Sequence, residues 1–486
     1  MRKKYLMLTV VAALAFAPAA AQQQQLRYLD PRDVAEAQRD NAELIQALGG
    51  AETGARAAYV ESVGRRVGSQ SGIANSGQAL HFTTLNAAVE NAFSLPGGYV
   101  YVTRQLMGLM DDESQLAFAL GHEVGHIAAN HAHIREQYAS RNPLGVFGQI
   151  IGAIFGSGIS DVITARSKLD LLSFSRDQEY QADTLGLRYM IGAGYDPAGA
   201  AGVLAALTRQ SSIEARVQGR TNRQTPEWAS THPLSENRMQ RALAEARATG
   251  RLGTGLRNRD QFLNQLEGVY VDDDPAQGII EGATFTHPDL RIQFSVPQGY
   301  LMSNGTDAVT ISGSAGKAQF RGGQFTGRLD DAVLLAYRQL TGGQQANFPV
   351  PLPQHVTING MPAAITTARV NTSSGQIDAS VAAYQWDPQR IYYFVMLTPA
   401  GYGVSPFTPM ISSLRRITPA EAAAIRPRVI HIETVRPGDT VQSLASRMAY
   451  RDFKLERFLS LNGLTANSSL APGRKVKLVV YGTRRA

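Results

Sequence analysis

The periodicity of this chain changes once, near Tyr270-Val-Asp-Asp-Asp-Pro-Ala-Gln-Gly278, and that change constrains its architecture more than any other feature. From residue 26 to about residue 268 apolar residues recur at helical spacing with short breaks. Residues 113–140 and 177–191 are long amphipathic stretches with no proline and few glycines, and both read as helices. Beyond Gly278 short alternating runs take over. Residues 291–296, 363–370 and 391–397 read as strands, Asn359-Gly360 is a turn signal, and residues 330–340 form one helical stretch among them. A helix buries a stripe and a strand buries every second residue, so the two textures call for separate cores. The expected division is a mainly helical unit at 22–270, an α+β domain at 278–416, a linker at 417–430, and a small final unit at 431–482.

With 486 residues each of these units has material for a core. Residues 1–21 read as a secretory leader: Arg2, Lys3 and Lys4, an apolar run over 5–17, and the small-residue site Ala19-Ala20-Ala21. That run is shorter than the roughly 20 residues that span a bilayer, so a periplasmic chain without a transmembrane span after cleavage is expected. Three of the net +7 charges lie in the leader and the rest form no basic stripe, which speaks against nucleic-acid binding. The chain has no cysteine. It therefore forms no disulfide in an oxidising compartment, and any metal must be held by His, Asp or Glu. The glycine-rich apolar stretch at 144–159 reads as a flap or a packed helical hairpin.

Inside the first helical stretch stands Gly121-His122-Glu123-Val124-Gly125-His126. Histidines at i and i+4 lie one turn apart on one face and can share an ion, while Glu123 stands beside them, placed to take a proton from water. A histidine-extended version of the motif is absent, because Ala129 and Ala132 occupy the required places. His131 is five residues past His126, about 140° round an ideal helix, and with His133 reads as structural or superficial. The third ligand could come from a second helix, where Glu179 and Asp183 lie one turn apart; a solvated acidic pair is the competing reading.

Taken together, Asn91-Ala-Phe-Ser-Leu-Pro-Gly-Gly-Tyr-Val-Tyr-Val-Thr103, the His-Glu-x-x-His helix, Glu179-x-x-Ala-Asp183 and Thr231-His-Pro-Leu-Ser-Glu-Asn-Arg238 resemble the zinc peptidase family M-48, over residues of about 55–245. The resemblance implies a mainly α-helical gluzincin-type peptidase domain with a small edge β-sheet. It implies one zinc per chain on His122, His126 and Glu179, Glu123 as general base, and Asp183 orienting a ligand histidine. It also implies an edge strand at Asn91, Ala92 and Phe93 that takes an extended polypeptide substrate. His232 becomes either an oxyanion donor supported by Arg238 or a ligand that fills the fourth metal position at rest. Membrane members of the family surround this core with transmembrane helices; this chain resembles the soluble exported branch.

Residues 435–478 carry Val435-Arg-Pro-Gly-Asp-Thr-Val, then Leu461-Asn-Gly463, then Ala471-Pro-Gly473 before a last apolar run. The order strand, helix, helix, strand resembles a LysM domain, which binds glycans such as peptidoglycan. The function expected of the whole is a zinc-dependent endopeptidase of the cell envelope acting on misfolded or unassembled proteins. Two rivals stand beside it: a LysM-tethered chaperone or scaffold with an idle metal site, and a peptidoglycan hydrolase. The retained Glu123 argues against an idle site.

Overall fold

The computed structural model describes residues 26–131, 174–217, 232, 236–340, 348–372 and 375–484. The leader, the stretch at 144–159 and His133 lie outside the described residues. Helix α1 (Pro31–Ala47) starts on an Asp30 cap with proline at its first position. After α2 (Ala55–Gly68) come three short strands, β1 (His81–Leu85), β2 (Ala92–Leu95) and β3 (Tyr99–Thr103). Their order is β1-β3-β2, with β1 parallel and β2 antiparallel to β3, so β2 is an edge strand.

Helix α3 (Arg104–Leu109) leads into α4 (Glu113–Ala128), which Asp112 caps by accepting from the Gln115 N–H. Every residue of α4 from Glu113 to Ile127 is buried. The amphipathic reading of this stretch is therefore corrected: α4 is the central helix, enclosed by α2, β2, β3, α5 (Arg176–Gly192) and α6 (Ala198–Val217). Its polar residues are buried because they have partners. Glu113, for example, accepts from Tyr195 Oη at 2.7 Å and Asn258 Nδ2 at 3.0 Å.

The approach of α4 to α5 depends on glycine. A Cβ on Gly186 would stand 2.8 Å from the backbone nitrogen of His122, and one on Gly125 would stand 3.1 Å from the Ala182 carbonyl oxygen. Without those side chains the two backbones come close enough for short side chains on both to share one point. Helices α7 (Glu236–Ala248) and α8 (Arg259–Leu266) complete the helical unit.

The two-residue strand β4 (Tyr270–Val271) closes this unit. Strands β5 (Ile279–Glu281), β6 (Thr284–His287) and β7 (Ile292–Ser295) then pair in sequence order. They are followed by β8 (Leu301–Asn304), β9 (Val309–Gly313) and β10 (Gly316–Gln324), then α9 (Leu329–Leu340). Strands β11 (Gln354–Ile358), β12 (Met361–Thr372), β13 (Gly375–Asp387) and β14 (Arg390–Pro399) finish a seven-stranded antiparallel sheet of order β11-β12-β13-β14-β10-β9-β8. Helix α9 covers one face through Val333, Ala336 and Tyr337; Phe294 of β7 meets Phe320 and Phe394 on the other. The turn read at Asn359-Gly360 is present, both residues having positive φ, 48° and 76°.

The two-residue strand β15 (Arg415–Arg416) returns to pair with β7, and then come β16 (Arg428–Thr434), α10 (Val441–Ser446), α11 (Lys454–Asn462) and β17 (Lys475–Tyr481), with β17 antiparallel to β16. Strand β16 also pairs with β4. The linker expected at 417–430 is ordered: Ile417 is buried, Thr418 and Glu421 form a capping box, and β16 begins at Arg428. The final unit has a core of its own around Leu444, Phe458 and Leu478, and it is docked on the helical unit, whose core takes in Ile430 just before it. Lys477 is buried against it too, its Nζ donating to the carbonyls of Gly108 (3.1 Å), Leu109 (3.2 Å) and Met110 (2.6 Å) and lying 3.2 Å from Asp111. Among the described residues no helix is long and apolar enough to cross a membrane.

Candidate metal centre

Two helices and one loop residue converge on a single point. Helix α4 supplies His122 and His126, α5 supplies Glu179, and His232 precedes α7; all four are buried, and one ligand atom from each lies within 4.8 Å of the others. His122 Nε2 stands 3.0 Å from His126 Nε2, 3.6 Å from Glu179 Oε2 and 3.3 Å from His232 Nδ1. Glu179 Oε1 is 3.5 Å from His126 Nε2 and 2.9 Å from His232 Nδ1. Ligands bound at 2.0–2.1 Å to a tetrahedral ion lie about 3.3 Å apart. The donor set thus fits a four-coordinate ion, and three imidazoles with one carboxylate suit zinc better than magnesium or calcium, which take oxygen.

The ring orientations are fixed from behind. His122 Nδ1 lies 2.9 Å from Asp183 Oδ1, and as a donor there it leaves Nε2 bare toward the centre. Asp183 is gripped by Arg238, whose Nε and Nη2 donate to its two oxygens at 2.8 and 2.7 Å. Burial opposes charge on Asp183, but the His122 and Arg238 bonds outweigh it and hold its carboxyl well below the usual range. Arg238 also lies 2.6 Å from Glu179 Oε2 and donates to the His232 carbonyl. Its side chain is fully buried among these partners, so Arg238 holds the two carboxylates and backs His232 through its carbonyl.

Of the two readings of His131 the structure takes the structural one, and it turns the ring toward His126 instead of away from it. Helix α4 stops at Ala128, and Asn130 takes a left-handed conformation (φ 57°) that turns the chain back. His131 is buried, with Nδ1 2.9 Å from His126 Nδ1 and Nε2 3.1 Å from Gln181 Oε1. Gln181 can only accept there, so His131 donates from Nε2, accepts from His126 at Nδ1, and leaves His126 Nε2 bare. An ideal-helix projection could not find this contact, because the helix no longer exists at that position. Burial, then the neighbouring imidazoles of His122, His232 and His131, press the His126 pKa well below the ordinary histidine value and keep the ring neutral.

Glu123 is buried beside the cluster, with Oε1 3.4 Å from His232 Nε2 and Oε2 accepting from Ser94 Oγ at 3.0 Å. Of the expected substrate strand, Ala92 and Phe93 lie in β2 and Asn91 just precedes it. The Phe93 side chain faces away from the centre, stacked on Tyr101 with centroids 4.8 Å apart. Ser94, one residue further, is the strand residue that touches the site.

Residues 54–246 match the model of Peptidase family M48, and residues 434–479 match that of the LysM domain. The chain is 32% identical over 198 residues to the β-barrel assembly-enhancing protease of Escherichia coli K12, covering 39% of this chain and 38% of that protein. It is 30% identical over 192 residues to the mitochondrial metalloendopeptidase OMA1 of Schizosaccharomyces pombe, 38% of this chain and 51% of the other. The matched region thus spans about two fifths of the bacterial relative's length. With this match laid over the His–Glu cluster, the chain carries a peptidase domain of family M48 at residues 54–246 and a LysM domain at residues 434–479.

Proposed function

We propose that the chain is a zinc-dependent endopeptidase of the periplasm, acting on misfolded or unassembled envelope proteins. The observation that carries this reading is the buried four-residue donor set with Glu123 at its rim. His122, His126 and Glu179 hold the ion. When bound, zinc polarises the scissile carbonyl and makes water acidic enough to lose a proton near neutral pH. Glu123 takes that proton and passes it to the leaving amine. The edge strand β2 receives the extended substrate by main-chain pairing, and the peptide lies alongside α4.

His232 serves at rest as the fourth ligand. Its Nδ1 is closer to Glu179 than either α4 histidine is, and a catalytic zinc needs that position open. The envelope substrates rest on the printed name of the bacterial relative, which speaks of β-barrel assembly. The LysM domain would hold the enzyme near peptidoglycan, since the turn at 436–438 and the residues at 465–467 are exposed. Retention of the full chain on purified sacculi is the check, and recovery in the supernatant would remove the glycan role.

Metal analysis with a casein assay tests the centre. Glu123→Gln should keep one zinc per chain and lose hydrolysis, whereas His122→Ala and Glu179→Ala should lose the metal. If Glu179→Ala binds zinc as tightly as the parent, the ligand set is wrong. His232→Ala should raise basal activity; a fall of about 10²–10³ in kcat would instead assign it to the oxyanion.

A further inference from the structure

The edge strand and the base meet at one residue, and the register of β2 says what that residue can do. The Thr103 N–H donates to the Asn91 carbonyl at 2.9 Å, while the Asn91 N–H donates to Thr103 Oγ1 at 3.1 Å. In an antiparallel pair successive residues turn their main-chain groups alternately toward and away from the partner. Asn91, Phe93 and Leu95 therefore bond to β3, and Ala92 and Ser94 present their N–H and C=O outward. Among the described residues nothing pairs with that outward side. The Ser94 side chain points at α4, where its hydroxyl donates to Glu123 Oε2 at 3.0 Å and lies 3.3 Å from the Glu123 carbonyl oxygen. The other carboxylate oxygen, Oε1, is buried, lies 3.4 Å from His232 Nε2 and accepts no hydrogen bond among the described residues, so the Ser94 hydroxyl supplies the hydrogen bond that orients the carboxylate.

We propose that Ser94 is a positioning residue for the general base. Its main chain takes the substrate strand, and its hydroxyl holds the Glu123 carboxylate in the orientation that accepts the water's proton. This rests on the endopeptidase reading and deepens it. A glutamate has three rotatable side-chain bonds, and a charge-assisted hydrogen bond from a strand is a firm restraint on the last of them. Because the same residue pairs with the substrate, the peptide bond beside Ser94 and the base that serves it are set by one element. The residue immediately before Ser94 could not substitute, since its side chain lies on the opposite face of the strand.

The test uses the full zinc-loaded chain and fluorogenic casein. Ser94→Ala should lower kcat roughly tenfold with KM changed less than twofold and zinc content unchanged, the loss of one charge-assisted hydrogen bond. Ser94→Thr, which keeps the hydroxyl, should recover most of the loss. In a Glu123→Ala background Ser94→Ala should cost nothing more, because Ser94 acts through the carboxylate. A crystal structure of Ser94→Ala gives a readout independent of turnover: the Glu123 carboxylate should lose its single orientation. The proposal is overturned if Ser94→Ala keeps the parental kcat, if it slows Glu123→Ala by the same factor as the parent, or if Glu123 stays in place in the crystal. A zinc-loaded parent that cleaves nothing overturns the endopeptidase reading, and the coupling to catalysis falls with it.

Discussion

His122 and His126 donate to Asp183 and His131 respectively, and in each case the bond selects the tautomer that leaves Nε2 bare. The sequence showed Asp183 one turn from Glu179 on one helix, and the orienting role came from the resemblance, because its contact with His122 joins two helices. The His131 arm was not legible, because it depends on where α4 ends. Loss of such an orienting partner typically costs 10–100-fold in metal affinity. His131→Ala is therefore expected to weaken zinc binding by that factor, measured by competition with a chromogenic chelator, while Glu123→Gln leaves it unchanged. Parental zinc affinity in His131→Ala would return His131 to a purely structural role. For Arg238, charge alone could not say whether it faced substrate or the carboxylates. Its three short contacts settle its placement on Asp183 and Glu179.

For the elements, the close packing of α4 on α5 is what converts two separate sequence motifs into one centre. Glu179 lies 53 positions before His232 and reaches the same point because Gly186, Gly125 and Gly121 let the helices approach. A side chain at Gly186 has no room: even a Cβ would press on the His122 backbone. Gly186→Val should therefore separate the helices at a cost of about 1–3 kcal/mol, visible as a lowered Tm, with a weakened zinc site as its companion. If zinc affinity is parental while Tm falls, the helix spacing is not what sets the centre. The strands behave differently. Three of the middle domain's strands were read from the sequence and appear within a few residues of their expected bounds: β7 alternates in burial as a strand should, and the β-branched and aromatic run of β14 marks a strand although both its faces are buried. Helix α4 misled because a helix buried on all sides has no polar face to report.

Across the molecule, the LysM domain is built into the peptidase domain. Strand β4 joins its sheet, Ile430 enters the helical core, and Lys477 binds the carbonyls that end α3, immediately before the cap of the metal helix. Burial lowers the Lys477 pKa, and the nearby Asp111 carboxylate opposes that shift. Lys477→Met would leave three carbonyls and Asp111 without that cation. A loss of about 3 kcal/mol in unfolding free energy is expected from removing one partner of a buried pair, read by urea titration. The Asp111–Arg209 contact, at 3.7 Å, is too long to make good the loss. Unchanged stability would mean that the two domains do not lean on this lysine.

What the sequence determined by itself was local: the helical spacing of His122 and His126, the pairing of Glu179 with Asp183, the two-residue period of the sheet, and the turns at Asn359-Gly360 and Pro437-Gly438. Each of these is a relation among residues a few positions apart, governed by backbone geometry that every chain shares. The tertiary structure alone decided the rest: that His131 turns back onto His126, that Arg238 grips carboxylates, that Ser94 reaches Glu123, and that the last domain is docked. Those relations join residues separated by up to 369 positions, as in Lys477 and Gly108, and no local period encodes them. They follow from which surfaces exclude water together, and that is settled only when the whole chain has folded.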